Sequence, residues 1–283
     1  MGGQETSRGT RIGRRLEELR RAGDLGLVAY LTAGDPSLQA TRGIVLAAAE
    51  AGADVIELGV PFSDPLADGP VIQRASERAL AAGTTLTGVL DLVRDIRRES
   101  QVPLVLFTYF NPVLQMGLET FAERAQAAGA DGVLVTDLPP EDSGDYRHAL
   151  RSRGLDTIFL AAPTTGDDRM RRIAEASSGF LYVISRTGVT GERDALADEL
   201  PALLRRARQA TRLPLAVGFG ISLPGHVSLL GGLADAAVVG SALVGEVERA
   251  GSAEEAAANV AARVRLLKQA GLCGMSRRGT AVS

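Results

Sequence analysis

Residues 54–70 read DVIELGVPFSDPLADGP: a short run suited to a strand, then a loop with three prolines and two aspartates. After its first residue, Asp54, the run Asp54–Gly59 is apolar on both faces except for one glutamate, Glu57. Side chains alternate along a strand, so Val55, Glu57 and Gly59 share one face while Ile56 and Leu58 share the other. Apolar residues on both faces mark a parallel strand that is covered on both sides. The same pattern recurs at Leu25–Leu31, Pro103–Thr108, Gly132–Thr136, Asp156–Leu160, Phe180–Ile184, Leu213–Val217 and Ala234–Val239. Amphipathic segments lie between these runs, among them Leu38–Ala51, Leu86–Arg98, Leu118–Ala128 and Glu141–Arg153. Strands alternating with helical crossovers in this number predict an α/β fold, a single closed (β/α)8 or TIM barrel.

An open, doubly wound sheet would call for a glycine-rich first turn of the GxGxxG kind. The first turn here is Thr32-Ala33-Gly34-Asp35-Pro36, which lacks it. Ile12, Leu16 and Leu19 fall on one stripe of residues 11–22, predicting an extra N-terminal helix across the barrel bottom. The barrel is expected to span residues 11–270, with flexible tails at 1–10 and 271–283 and no second domain.

The inventory of reactive groups narrows the chemistry. The 283 residues carry a net charge of −3, so no basic surface points to nucleic acid or to an anionic membrane. No apolar run is long enough to span a bilayer, and the N-terminal segment has no apolar stretch of the secretory kind. A single cysteine, Cys273, fits a reducing compartment, and the cytoplasm is the expected location. Lys268 is the only lysine and lies beyond the last strand, so a Schiff base at a strand end is excluded, and pyridoxal phosphate chemistry with it. His148 and His226 are the only histidines; they fall in helical crossovers and read as surface or packing residues rather than metal ligands. What remains is acid–base chemistry on a substrate that supplies its own electron sink.

Barrel active sites sit at the C-terminal ends of the strands. Glu57, among apolar neighbours, reads either as a general acid/base with a raised pKa or as one half of a buried ion pair. In the loop that follows, Asp68 reads either as a second working carboxylate or as a turn former, and Asp64 reads as a turn former before Pro65. The polar loop from Ser185 to Glu192 reads either as a lid or as a plain surface loop. Strands seven and eight end in Gly218-Phe219-Gly220-Ile221-Ser222 and Gly240-Ser241-Ala242. Glycine turns in these two loops of a barrel, next to a helix N-terminus, point together to a bound phosphate.

The stretch from Glu57 to Pro70 resembles the signature of the tryptophan synthase α subunit family. The likeness extends to Leu31–Pro36, Val135–Pro139, Tyr182–Gly191 and the two glycine turns, covering about residues 11–270. The resemblance implies retro-aldol cleavage of indole-3-glycerol phosphate to indole and glyceraldehyde 3-phosphate, a lyase reaction of tryptophan biosynthesis. It assigns Glu57 as the acid/base at indole C3 and at the glycerol hydroxyl, and Asp68 as the acceptor of the indole N–H. It places Gly191, Phe219, Gly220, Gly240 and Ser241 at the phosphate. Tyr30, Phe107, Leu134, Leu160 and Tyr182 fall at the indole pocket, where Phe219 also lines it; ordinary core is the alternative for the pocket positions. It further implies a β-subunit partner in an α2β2 assembly that receives the indole. The partner surface and lid would include Pro61, Phe62, Asp64, Asn111, Pro139, Arg186 and Thr190. No cofactor is expected in this chain, pyridoxal phosphate belonging to the partner alone. A stand-alone lyase that releases free indole would carry the same residues. A different phosphate-gripping barrel, or a subunit that only activates its partner, are the more distant readings.

Overall fold

The computed structural model describes residues 9–185, 196–218 and 220–276, excluding the side chains of 196–199 and 273–276. The strands are β1 (Gly26–Thr32), β2 (Val55–Gly59), β3 (Leu104–Thr108), β4 (Gly132–Val135), β5 (Asp156–Ile158), β6 (Leu160–Ala161), β7 (Leu181–Ile184), β8 (Leu215–Gly218) and β9 (Ala236–Val239). All pair in parallel, in the order β5-β4-β3-β2-β1-β9-β8-β7-β6. The two ends of that order, β5 and β6, are consecutive in the chain and separated only by Phe159, so the sheet comes round into a barrel. The single fifth strand expected over Asp156–Leu160 is therefore two segments. Phe159 turns its ring outward to Tyr146, with ring centroids 6.4 Å apart, and its carbonyl accepts the amide of Tyr182 at the break.

Strand alternation divides the buried side chains into two cores. Val28, Tyr30, Val55, Val105, Phe107, Leu134, Ile158, Phe180, Tyr182 and Val238 fill the barrel interior. Their chain neighbours, such as Leu27, Leu31, Ile56, Leu58, Leu106, Val133, Val183 and Val217, pack outward beneath the helices. Both sets are nearly water-free, which is why the strands read as apolar on both faces.

Helix α1 (Arg11–Ala22) closes the N-terminal end of the barrel. Thr10 Oγ1 accepts the Gly13 amide at 3.1 Å to cap it, and Gly23 ends it at φ 76°. Its stripe Ile12, Leu16 and Leu19 joins the interior core. At the same end, buried aspartates at the strand starts accept backbone amides of the neighbouring strand: Leu27 N to Asp54 at 2.7 Å, Leu104 N to Asp131 at 2.8 Å and Leu215 N to Asp235 at 2.6 Å. Each also holds a cation: Lys268 at 2.6 Å and Arg15 at 2.7 Å on Asp54, Arg97 at 2.7 Å and Arg11 at 2.8 Å on Asp131, and Arg208 at 2.6 Å on Asp235. A buried carboxylate is tolerable only when it is satisfied in this way. The single lysine is thus a structural cation at the barrel bottom.

The remaining helices form the outer layer: α2 (Leu38–Glu50), α3 (Pro70–Ala81), α4 (Leu86–Arg97), α5 (Phe110–Met116), α6 (Leu118–Ala128), α7 (Gly144–Arg151), α8 (Asp167–Ala176), α9 (Leu196–Ala210), α10 (Pro224–Leu230), α11 (Ser241–Arg249) and α12 (Ala253–Ser276). The predicted helix over 141–153 begins with a 3-10 turn, Pro140–Asp142, before α7. Helix α12 continues through Ser276, so residues 271–276 extend it instead of belonging to a tail. No helix among the described residues is long and apolar enough to cross a membrane.

Candidate active site

Glu57 lies on β2 in register with Tyr30 of β1 and Val105 of β3. Neighbours in parallel register share a face, so Glu57 points into the barrel interior, where it is 1% exposed. Its Oε1 has no hydrogen-bond partner, and among the described residues no cation pairs with it. That removes the ion-pair reading for the described part of the molecule. Burial alone pushes its carboxyl up to about 8. At neutral pH such a group carries its proton and can give it up and take it back, as a general acid/base must.

Gly59 ends β2, and the space beside it is filled by Tyr30: a Cβ at Gly59 would lie 2.1 Å from the Tyr30 hydroxyl oxygen. Tyr30 packs edge-on against Phe107 with ring centroids 5.2 Å apart. Gly218 makes the matching space for the Tyr182 hydroxyl, with the same 2.1 Å approach. Burial, then the nearby Asp68 and Glu57 carboxyls, holds the Tyr30 hydroxyl well above its ordinary range, and burial with Glu57 does the same for Tyr182. Tyr30, Phe107, Leu134 and Tyr182 all belong to the interior core, with Leu160 packed against it at the fifth-strand break. The five positions expected to form an apolar pocket therefore lie in or against the interior core, on the face of the sheet that Glu57 shares.

The loop after β2 brings Asp68 to the rim. Val60 and Pro61 are buried, Ser63 and Asp64 are exposed, and Leu66 is 94% exposed. The Asp68 amide donates to Pro65 O at 3.0 Å, and Gln73 Nε2 donates to Asp68 O at 2.8 Å. Gly69 and Pro70 then start α3, proline being suited to a first helical turn. The carboxyl of Asp68 is held by a residue that the sequence reading passed over: the Tyr109 hydroxyl donates to Asp68 Oδ2 at 3.1 Å and accepts the Ala67 amide at 3.0 Å. Burial pushes Asp68 up to about 6, against the Tyr109 hydrogen bond, which holds it down. Tyr109 follows directly on β3, where the C-terminal-end rule would have picked it out.

Beyond β8, Gly220 takes a φ of 88°, open to glycine and strained for other residues. The amide of Ser222 in this turn donates to His226 Nδ1 at 3.3 Å, and Arg263 Nη2 donates to Ser222 O at 2.6 Å. Beyond β9, Gly240 caps α11 without a side-chain hydrogen bond and Ser241 begins it, exposed. The first amides of a helix point out of it and favour an anion. Phe219, Arg186, Thr190 and Gly191 lie outside the described residues.

Of the expected partner surface, Asn111 is exposed at the start of α5, Pro139 is half-buried, and Phe62 stacks on Tyr109 with centroids 5.0 Å apart. Phe110 instead turns inward to Tyr146, and its amide is capped by Asp137 at 2.7 Å.

Fold and site together define a (β/α)8 barrel with one carboxyl, Glu57, buried in its interior and a second, Asp68, on the rim. The sequence model of the tryptophan synthase alpha chain matches residues 16–271. The tryptophan synthase alpha chain of Solibacter usitatus is 55% identical over 251 residues, spanning 89% of this chain and 93% of that one. That of Geobacter sulfurreducens is 48% identical over 92% of this chain and 98% of its own. The crystal structure of tryptophan synthase subunit alpha from Legionella pneumophila superposes with a TM-score of 0.85 at 38% identity, covering 92% of this chain and 98% of that one. A chain of the tryptophan synthase complex from Pyrococcus furiosus superposes with a TM-score of 0.78 at 41% identity, covering 86% of this chain and 98% of that one. The chain belongs to the tryptophan synthase α chain family, a lyase family of tryptophan biosynthesis.

Proposed function

We propose that the chain cleaves indole-3-glycerol phosphate to indole and glyceraldehyde 3-phosphate and passes the indole to a β subunit. The observation that carries this reading is Glu57: a buried carboxyl without a partner on Oε1, inside an apolar barrel mouth, beside a second carboxyl on the rim. Glu57 delivers its proton to indole C3, which turns the ring into an iminium and gives the chain its electron sink. Asp68 accepts the indole N–H and stabilises the positive charge that develops there. Glu57, now a carboxylate, takes the proton of the adjacent glycerol hydroxyl. The bond from C3 to the glycerol carbon breaks, its electrons return to the ring, and an aldehyde forms. Tyr30, Phe107, Leu134, Leu160 and Tyr182 enclose the ring and keep water from the proton transfers. Gly220, Gly240, Ser241 and the start of α11 hold the phosphate, with Gly191 and Phe219 assigned there on resemblance.

No cofactor is needed for these steps, and pyridoxal phosphate is assigned to the β subunit alone. The partner surface is the rim formed by Phe62, Asp64, Asn111 and Pro139, with exposed Leu66 and Leu114 next to them in the chain, whereas Pro61, expected there, is buried. The assembly is expected to be α2β2 and cytoplasmic. The likeness to a chain of the Pyrococcus furiosus complex supports a partnered enzyme.

Indole release from indole-3-glycerol phosphate by the purified chain, with and without a tryptophan synthase β subunit, tests the reading. Slow release that the β subunit accelerates is the expected result. Fast release indifferent to the partner would make the chain a free-standing lyase, and no release in either condition would overturn the reading.

A further inference from the structure

Helix α3 runs directly from Asp68 and contributes Val71, Ile72 and Ala75 to the interior core, so it lies along the mouth of the barrel. Its buried face is made of short side chains, Ala75, Ser76 and Ala79, which interlock little with what lies beneath. Polar side chains fix its place. Arg78 donates from Nε to Asp35 Oδ1 at 2.9 Å and from Nη2 to Asp35 Oδ2 at 2.8 Å, a two-pronged grip on a carboxylate that is 3% exposed. Its remaining arm, Nη1, donates to Glu248 Oε1 at 3.0 Å. Arg74, one turn earlier, closes on the same carboxylate from Nε at 2.7 Å and Nη2 at 2.9 Å.

The partners of Arg78 come from the elements that follow the next two strands of the sheet order, β1 and β9, beside the β2 that leads into α3. Asp35 lies in the turn after β1, and Glu248 lies on α11, the helix that begins at Ser241. One guanidinium therefore joins the helix that follows Asp68, the turn after β1 and the helix whose N-terminus is assigned to the phosphate. We propose that the Asp35–Arg78–Glu248 network sets the spacing between the Asp68 end and the phosphate end of the substrate site, with Arg78 as its positioning residue. This rests on the substrate reading given above, in which a single molecule must reach both ends. A ligand that bridges two subsites gains from their correct separation, whereas a ligand at one end does not sense it.

The test compares the full chain with Glu248→Ala, which cuts the tie to α11 and leaves the Asp35–Arg78 pair whole, with Glu248→Gln, which removes its charge and one acceptor oxygen, and with Arg78→Lys, which keeps the charge and loses the fork. Dissociation constants are measured for indole, for glycerol 3-phosphate, and for a non-cleavable analogue in which a three-carbon chain joins indole to phosphate. All three variants are expected to bind the two fragments within about twofold of the parent, and Glu248→Ala and Arg78→Lys to bind the bridging analogue about tenfold more weakly. KM for indole-3-glycerol phosphate should rise in parallel. Equal weakening of fragments and analogue would mean general loosening and would overturn the proposal, as would unchanged binding of all three. Should Arg78→Lys not fold, Glu248→Ala decides alone. A parent chain that binds the analogue but does not cleave the substrate sinks the proposed reaction and leaves the spacing test standing. A parent that does not bind the analogue sinks both.

Discussion

The Tyr109 hydroxyl stands between Asp68 and the backbone of its own loop, donating to Asp68 Oδ2 at 3.1 Å while accepting the Ala67 amide at 3.0 Å. The bond favours the ionised carboxyl, so removing it lets burial push Asp68 above its present value of about 6. Tyr109→Phe should lower kcat on the order of tenfold and move the acidic limb of the pH–rate profile upward. A profile with an unmoved limb would separate Tyr109 from Asp68 function.

In the proposed reaction the two carboxyls have different tasks, and burial raises their pKa values to different extents. Asp68 must be ionised and Glu57 must hold its proton, so activity should rise through about 6 and fall through about 8. Asp68→Asn should abolish the acidic limb. Glu57→Gln, which cannot transfer a proton, should cost roughly 10²–10⁴-fold in kcat/KM.

Glu57 should also tax stability. Its folded pKa of about 8 lies above the ordinary 4.5, so the folded state binds more protons between those values. The Glu57 contribution to stability is then greatest below about 4.5 and declines as pH rises towards about 8, by at most about 1.4 kcal/mol for each pH unit. Glu57→Gln should lack that decline. Urea midpoints of both proteins across this range would show it, and parallel curves would contradict it.

Gly59 and Tyr30 compete for one volume. A Cβ at position 59 would meet the Tyr30 ring at 2.6 Å as well as its oxygen at 2.1 Å. Gly59→Ala should destabilise by about 1–3 kcal/mol, and Gly59→Ala combined with Tyr30→Leu should recover part of that loss. Additive effects of the two changes in a denaturation cycle would argue against the contact.

At the other end of the barrel, Asp54 holds Lys268 at 2.6 Å, Arg15 at 2.7 Å and the Leu27 amide at 2.7 Å. Asp54→Ala should cost about 3–5 kcal/mol, because it strands a largely buried ammonium and an amide. KM should be unchanged, since the site lies at the opposite face; a KM effect in folded protein would show that the two ends are coupled.

The barrel was legible because its signals are local. Strand alternation is a property of consecutive residues, so Val55-Ile56-Glu57-Leu58-Gly59 alone put Glu57 on one face with Val55 and Gly59, and spaced apolar runs in this number announced the parallel sheet. Asp68 and the glycine turns were readable from their places after predicted strands. Whether a cation would pair with Glu57 was not, because that depends on everything folded around it. The tertiary structure also decided which residues answer one another across the chain: Tyr109 to Asp68 at a separation of 41 residues, Arg78 to Glu248 at 170 and Lys268 to Asp54 at 214. These pairings follow from closure of the sheet, which brings the loops of distant strands to one rim and the strand starts to the other. The break of the fifth strand at Phe159 belongs with them, since a continuous apolar run carries no mark of where the pairing partner changes from β4 to β7.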